Sequence, residues 1–283
     1  MNSDDFTARL VGELLNARTG QQLTRDRHWR IDTVLSGLMR SHGIASAKQL
    51  AQRLLLPNSQ DLAAAVVEAL LNNETYFFRD RAMFDQLAVK ILPDLAERRS
   101  ASRRLSIWSA GCSTGQEALS LAMIFAEQRA RWAGWRIEIV GTDISGKAIA
   151  AARKASYSAF QVQRGLGVKQ MLDHFSETPE GWQANPALLQ PVRFAVHNVL
   201  EPAPAPGTFD LILCRNVLLY FDSANRSRAL DRLADALSPD GFLMLGGGES
   251  AAGLSQRLAP CSETSGFLRR ADTQPARRAA GGR

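Results

Sequence analysis

The sequence predicts a doubly wound α/β fold, a mostly parallel sheet covered on both faces and preceded by an all-helical segment. Three observations lead there. Residues 5–71 carry helical spacing of apolar residues throughout. From residue 105 onward, short β-type runs alternate with helical ones, the pattern of a sheet built from strand–helix–strand units. The run FDLILCRN (209–216) is continuously apolar, as a strand must be when helices cover both its faces.

In the first segment, Leu10, Leu14 and Leu15 form one apolar stripe. Ile31, Leu35, Leu38 and Met39 form another, at i, i+4, i+7 and i+8. Leu50, Leu54 and Leu55 follow, then Leu62, Val66, Ala69 and Leu70, with breaks at Gly20, Gly43 and Pro57-Asn58-Ser59. Residues 1–71 therefore read as a small helical bundle. LNNETYFFRD (71–80) then sets three aromatics beside amide, hydroxyl and guanidinium groups. A helix over 80–97 and a charged run over 97–104 complete a connecting unit, 72–104.

LSIWSAG (105–111) is the first strand and QEALSLAMIFAEQRAR (116–131) a helix. RIEIVGTD (136–143) is the second strand, and SGKAIAAARKA (145–155) a helix with Ser145 as N-cap. GWQANPALLQPVRFAV (181–196) alternates in short runs around Asn185-Pro186 and Pro191. It reads as a small antiparallel hairpin inserted at about 181–191, ending in a core strand at 192–196. After FDLILCRN come a helix at 223–238, a turn at Pro239-Asp240-Gly241 and the strand FLMLGG (242–247). The sheet portion spans 105–271, and 272–283 is a basic flexible tail.

Composition narrows the class. The chain has 283 residues, 45% hydrophobic and 22% charged, ordinary for a globular protein. It has no run near the ~20 apolar residues that span a bilayer, and its acidic start, MNSDDFTARL, has no apolar signal core. A cytoplasmic protein without membrane insertion is expected. Cys112, Cys214 and Cys261 are odd in number and far apart, which suits free thiols and matches no zinc spacing, so no metal is expected. The net charge of +6 is uneven: residues 1–75 balance, while 269–283 hold five Arg and one Asp. The basic knot Arg98-Arg99 and Arg103-Arg104 reads as a solvated linker. No aromatics interleave with these arginines, so a stable nucleic-acid partner is not expected.

WSAGCSTGQE (108–117) carries chemistry: a strand ends, small residues turn, and a helix starts after Gly115. Ligands bind at such strand ends, where glycine admits a ligand to the backbone and the helix start offers free N–H donors. Gly111 and Gly115 do not make GxGxxG, nor is there a GK[ST], so a nicotinamide oxidoreductase and a nucleotide triphosphatase are weak readings. Asp143 closes the second strand, where a carboxylate can accept from both ribose hydroxyls of an adenosine ligand. Asn198, in VHNVLEP (196–202), can read an adenine edge or make a turn. Arg215, Asn216 and Tyr220 end the apolar strand in CRNVLLYFD (214–222). A guanidinium there needs a partner, which a ligand carboxylate would supply.

In this order and spacing, NNETYFFRD, WSAGCSTGQEALSLAM, GTDIS, HNVLEP and FDLILCRNVLLYFD resemble the chemotaxis receptor glutamate methyltransferase family (CheR) over roughly residues 6–270. The resemblance implies a class I S-adenosylmethionine-dependent methyltransferase, Rossmann-like, with an all-α N-terminal domain and a small antiparallel β insertion. It implies O-methylation of glutamate carboxylates on chemoreceptors, with S-adenosyl-L-homocysteine as by-product. Asn73, Thr75 and Arg79 match the family's lid over the cofactor, Gly111 belongs to its Gly-rich turn, and Glu117 is its acidic contact. Asp143 matches its ribose carboxylate, Asn198 and Val199 its adenine pair, and Arg215 and Asn216 its contacts at the central strand end. Arg79 and Tyr220 are the expected catalytic residues. The implied partners are chemoreceptor cytoplasmic helices and a receptor C-terminal tethering peptide at the hairpin, met by a monomer.

Two departures stand out. Where the family closes its late strand with Gly-His-Ser-Glu, this chain has Gly247-Gly248-Glu249-Ser250. Its second helix keeps Arg25, Arg27, Arg30 and Arg40, but VLSGLM replaces the densest part of the family's basic face. Alternative readings are the same fold acting on another protein, a nucleic acid or a small molecule, and a non-catalytic cofactor-binding or receptor-scaffolding protein.

Overall fold

Four helices open the chain in the computed structural model, which describes residues 3–23, 28–204, 208–262 and 264–271. They are α1 (Ser3–Thr19), α2 (His28–Ser41), α3 (Ala47–Leu54) and α4 (Gln60–Leu70). Val11, Leu15, Leu35, Leu50, Val66 and Leu70 meet in one apolar cluster, so the predicted bundle forms. On α1 the buried face centres on Val11 and Leu15, one residue round from the expected stripe. Ser46 caps α3 by accepting from the Gln49 N–H at 3.2 Å. Arg40 ends α2 and is exposed, whereas Arg25, Arg27 and the tail 272–283 lie outside the described residues.

Residues 81–98 form one continuous helical path: α5 (Arg81–Gln86), a π-turn at Leu87–Ile91, and α6 (Leu92–Arg98). The π-turn runs up to Pro93, whose ring and missing N–H disrupt regular bonding one turn back. Beyond it come β1 (Arg104–Ala110), α7 (Gln116–Glu127), β2 (Arg136–Asp143) and α8 (Gly146–Lys154). An insertion follows: β3 (Ser156–Tyr157), α9 (Ala159–Gln163), α10 (Val168–His174), β4 (Phe175–Thr178), β5 (Gly181–Ala184) and α11 (Pro186–Leu189). The chain rejoins the sheet at β6 (Val192–Val196) and β7 (Phe209–Cys214), then runs through α12 (Ser223–Ala236), β8 (Leu237–Leu245), β9 (Leu258–Pro260) and β10 (Phe267–Arg270).

The main sheet has the order β6-β2-β1-β7-β8-β10-β9, parallel from β6 to β8 and antiparallel at β10 and β9. One face packs α5–α7 and the insertion around Phe84, Leu119 and Ile107; the other packs α12 around Trp108, Leu230 and Phe209. Every residue of β7 is buried, as its apolar run requires. Strand β6 corrects an expectation: it pairs only with β2 and is an edge, with mixed burial. The hairpin also shifts. It is β4–β5, extended by β3 into a three-stranded sheet, and 186–189 is a helical turn. Pro186 explains that difference, because a fixed φ and no N–H suit the first turn of a helix. The strand β4 is short and, after Phe175, polar, FSET, and left no alternation to read.

Within the arginine knot Arg103 and Arg104 are exposed, as a solvated linker would have them, but Arg99 is not. Arg99 bonds Asp210 at 2.7 Å and Asp240 at 2.6 and 2.8 Å, and Asp210 also accepts the Ser106 N–H at 2.9 Å. This pins the entry to β1 against β7 and β8. The lid stretch is anchored in the same way, by side chains of opposite character. Phe77 is wholly buried and stands edge-on to Tyr157 (5.2 Å) and Phe175 (5.4 Å) of the insertion, and Phe78 edge-on to Phe84 (5.5 Å). Gly165 seals this contact. Its φ is +104°, and a Cβ there would lie 1.9 Å from the Phe77 carbonyl oxygen.

Phe77→Ala should lower stability by about 3–5 kcal/mol in urea unfolding, since it empties a fully enclosed site. Asp240 titrates below its ordinary value of 3.8 because Arg99 hydrogen-bonds its carboxylate. A depressed folded-state pKa gives stability that is complete above the unfolded value and lost as pH falls through the folded one. The difference in urea midpoint between the wild type and Asp240→Asn should therefore be widest near neutrality and close below about pH 3.8.

Candidate active site

The carboxyl ends of β1, β2, β6 and β7 open into one cleft. It lies where the strand order reverses between β1 and β7, the place where open α/β sheets hold ligands. Residues 71–79 wall one side, and Thr19 and Gln21 at the end of α1 another. Asn73, Thr75, Arg79, Gly111, Glu117, Asp143, Asn198, Val199, Arg215, Asn216 and Tyr220, the eleven positions singled out in the sequence, all line it.

Arg215 sits at its floor with a side chain only 2% exposed. It bonds Asp80 of the lid at 2.5 Å, Glu117 of α7 at 3.2 Å and the Arg79 carbonyl oxygen at 2.8 Å. The sequence suggested a ligand carboxylate as its partner; the protein supplies the partners itself, because a buried guanidinium must be paired before any ligand arrives. Burial pushes the Glu117 carboxyl up, and Arg215 and the Ser109 hydroxyl (2.8 Å) pull it back. A cationic ligand group beside Glu117 would add to that pull.

Arg79 differs from Arg215. It donates to the Glu74 carbonyl oxygen at 3.3 Å and lies over the Tyr76 ring, with no carboxylate paired to it among the described residues.

Asp143 is held by backbone. Its Oδ2 accepts from the Ser113 N–H (2.8 Å) and its Oδ1 from the Ser145 N–H (2.9 Å). Burial raises its pKa and these two bonds oppose the rise. Each oxygen keeps a second lone pair for a ligand hydroxyl. Asn73 bridges this region to the lid: its Nδ2 donates to Ser145 Oγ (3.2 Å) and its carbonyl accepts from Ser113 Oγ (2.7 Å). Thr75 lines the same wall.

Asn198 spends its side chain on its own loop, Oδ1 accepting from the Leu200 N–H (3.0 Å) and Nδ2 donating to Thr19 (3.4 Å). It is thus the turn residue that the sequence also allowed, and the buried Val199 beside it supplies an apolar wall. Asn216 takes a left-handed φ of 58°, and its buried Oδ1 has no partner among the described residues. Tyr220 Oη accepts from Asn72 Nδ2 at 2.6 Å, closing the cleft between lid and β7 loop. Gly111 is tight for a physical reason: a Cβ there would lie 2.2 Å from Val217.

S-adenosylmethionine, with its sulfonium, ammonium, carboxylate, ribose and adenine, fits this set of groups. Two carboxylates, a guanidinium with no carboxylate and an amide oxygen with no partner among the described residues, and an apolar wall converge on this cleft. A family model described as "CheR methyltransferase, SAM binding domain" matches residues 73–267, the lid and the sheet. The chain belongs to the CheR methyltransferase family. Family membership makes it a methyltransferase with S-adenosylmethionine as cofactor. Chemotaxis protein methyltransferase 1 of Pseudomonas aeruginosa is 33% identical over 96% of this chain and 100% of that one. Chemotaxis protein methyltransferase Cher2 of Pseudomonas putida is 33% identical over 88% and 92%. Among solved structures, magnesium protoporphyrin IX methyltransferase from Synechocystis PCC 6803 with bound SAM aligns over 84% of this chain and 74% of that one, at 16% identity and a TM-score of 0.35.

The structure adds residues that the CheR motifs did not flag. Ser113 was visible only as a small residue in the turn; its φ of 50° aims its N–H at Asp143 and its hydroxyl at the lid. Glu249 accepts from the N–H groups of Gly246, Asn216 and Leu218 at 2.8 to 2.9 Å, fixing the loop after β7. Glu249 does this from just beyond the end of β8 at Leu245.

Arg215→Ala should cost about 3–5 kcal/mol in urea unfolding, because Glu117 is left buried without its cation. Adding Glu117→Gln to that variant should restore part of the loss.

Proposed function

We propose that this methyltransferase esterifies glutamate side chains on the cytoplasmic helices of chemoreceptors, giving glutamyl methyl esters. The observation that carries the reading is Arg79: a guanidinium on the lid, lining the cleft, with no carboxylate paired to it among the described residues. The neighbouring Arg215 is already ion-paired with Asp80 and Glu117, so Arg79 is the cation left to orient a substrate or cofactor carboxylate. The names of the relatives, chemotaxis protein methyltransferases, support the same substrate class.

When bound, the cofactor supplies a methyl group on a sulfonium, an activated leaving group. A glutamate carboxylate, with an ordinary pKa of about 4.3, is already an ionised nucleophile at neutral pH, so no general base is required. The residues of the chain position and exclude water: Arg79 steers the carboxylate, Tyr220 shapes the transfer site, and the lid covers it. Alignment of this kind can supply roughly 7–11 kcal/mol. Asp143 holds the ribose, Val199 flanks the adenine, and Asn73, Thr75, Gly111, Glu117, Asn198, Arg215 and Asn216 complete the cofactor's surroundings. In this reading residues 1–71 meet the receptor, 72–104 close the cleft, 105–271 perform the transfer, and the small sheet receives a receptor tethering peptide. The protein works as a monomer in the cytoplasm.

Arg79→Ala should reduce kcat/KM by about 10²–10³-fold while leaving the urea midpoint unchanged. With labelled S-adenosylmethionine and a receptor cytoplasmic fragment, the product should be released by mild base as methanol. A base-stable label would rule out carboxyl methylation.

A further inference from the structure

We propose that Glu68, on the helical bundle, is a positioning residue of the cofactor site, acting through Ser145 on the lid and on Asp143. The proposal rests on the reading of Asp143 as the ribose acceptor. Glu68 lies in α4, upstream of the residues matched by the family model, and does not line the cleft. Its Oε1 accepts from the Ser145 hydroxyl, and its Oε2 accepts from the Gly146 N–H at 3.2 Å.

Ser145 is fully buried, and its hydroxyl is saturated. A hydroxyl has one proton to give and two lone pairs. The proton goes to Glu68, and the lone pairs accept from the Ala148 N–H (2.9 Å) and Asn73 Nδ2 (3.2 Å). Without Glu68 the proton has no fixed direction, and the lone pairs that hold Asn73 turn with it. The Ser145 N–H meanwhile holds Asp143 Oδ1, and Ser113 joins Asp143 Oδ2 back to the Asn73 carbonyl oxygen. One closed circuit of hydrogen bonds therefore links the lid, the Gly-rich turn and the end of β2, and Glu68 ties the bundle to it at Ser145.

Electrostatics does not explain the placement. The charge of Glu68 acts on Asp143 as a like charge and favours its protonated form. An electrostatic role would make loss of that charge neutral or helpful to the Asp143 carboxylate, whereas a positioning role makes it harmful. A purely structural brace between bundle and α8 would change the melting temperature and leave the affinity of the folded protein alone.

Calorimetric titration of S-adenosylhomocysteine into the full chain separates these cases, run well below each variant's melting temperature. Glu68→Ala should weaken binding about tenfold, the size expected when hydrogen bonds to a charged group are lost. Glu68→Gln keeps one acceptor in the same shape and should lie between Glu68→Ala and wild type; it also serves if the alanine variant does not fold. Asp143→Asn should weaken binding at least as much. Unchanged or tighter binding by both Glu68 variants, with Asp143→Asn weakened, overturns the role of Glu68 alone. Wild-type binding by Asp143→Asn removes the ribose reading and the inference with it.

Discussion

The site depends on one buried cation. Arg215 stands at the end of the innermost strand, and its guanidinium joins three parts that are distant in sequence: β7 itself, the start of α7 at Glu117, and the lid at Asp80 and the Arg79 carbonyl. A charge this deep is tolerated only when paired, so the lid has to be in place for the sheet to keep its arginine. Lid position is thus a condition of folding rather than a consequence of ligand binding. Arg79 is directed into the same neighbourhood by the bond that its own carbonyl makes to Arg215.

The walls of the cleft are built from unfavourable backbone held by favourable packing. Phe78, Asp80, Ser113 and Asn216 all have left-handed φ without being glycine, and all lie in or beside the cleft-lining segments. Such residues cost of order 1–3 kcal/mol each and persist only where surroundings over-determine them. The surroundings are visible: the edge-on rings of Phe77 and Phe78, the carboxylate of Glu249 under the Asn216 turn, and the pairing of Asp143 with Ser113. The strain places N–H groups and side chains where a regular helix or strand end would not.

Much of this was legible in the sequence because periodicity and burial coincide. The strands at 105–111 and 209–216 are apolar for one reason, enclosure, and the structure encloses them. The Gly-rich turn and Asp143 could be read because strand ends in such sheets are where ligands go. What could not be read was pairing across long separations. Arg99 with Asp210 and Asp240, Arg215 with Asp80, and Glu68 with Ser145 leave no local pattern, since nothing in either partner's own neighbourhood names the other. A short polar strand such as β4 escapes for a related reason: pairing with β5, not alternation, makes it a strand.

The contact between Gly165 and the Phe77 carbonyl has a bearing on how such proteins can be recombined. No side chain fits between the two backbones, and Arg81 adds a bond to the Gly165 carbonyl at 3.0 Å. The insertion and the lid are therefore a single cassette, although about 80 residues of chain separate them. A graft that exchanged the small sheet for a relative's, to redirect docking, would have to carry residues 72–81 with it. Transplanted alone, the new sheet would meet a foreign surface along the edge that encloses the cofactor.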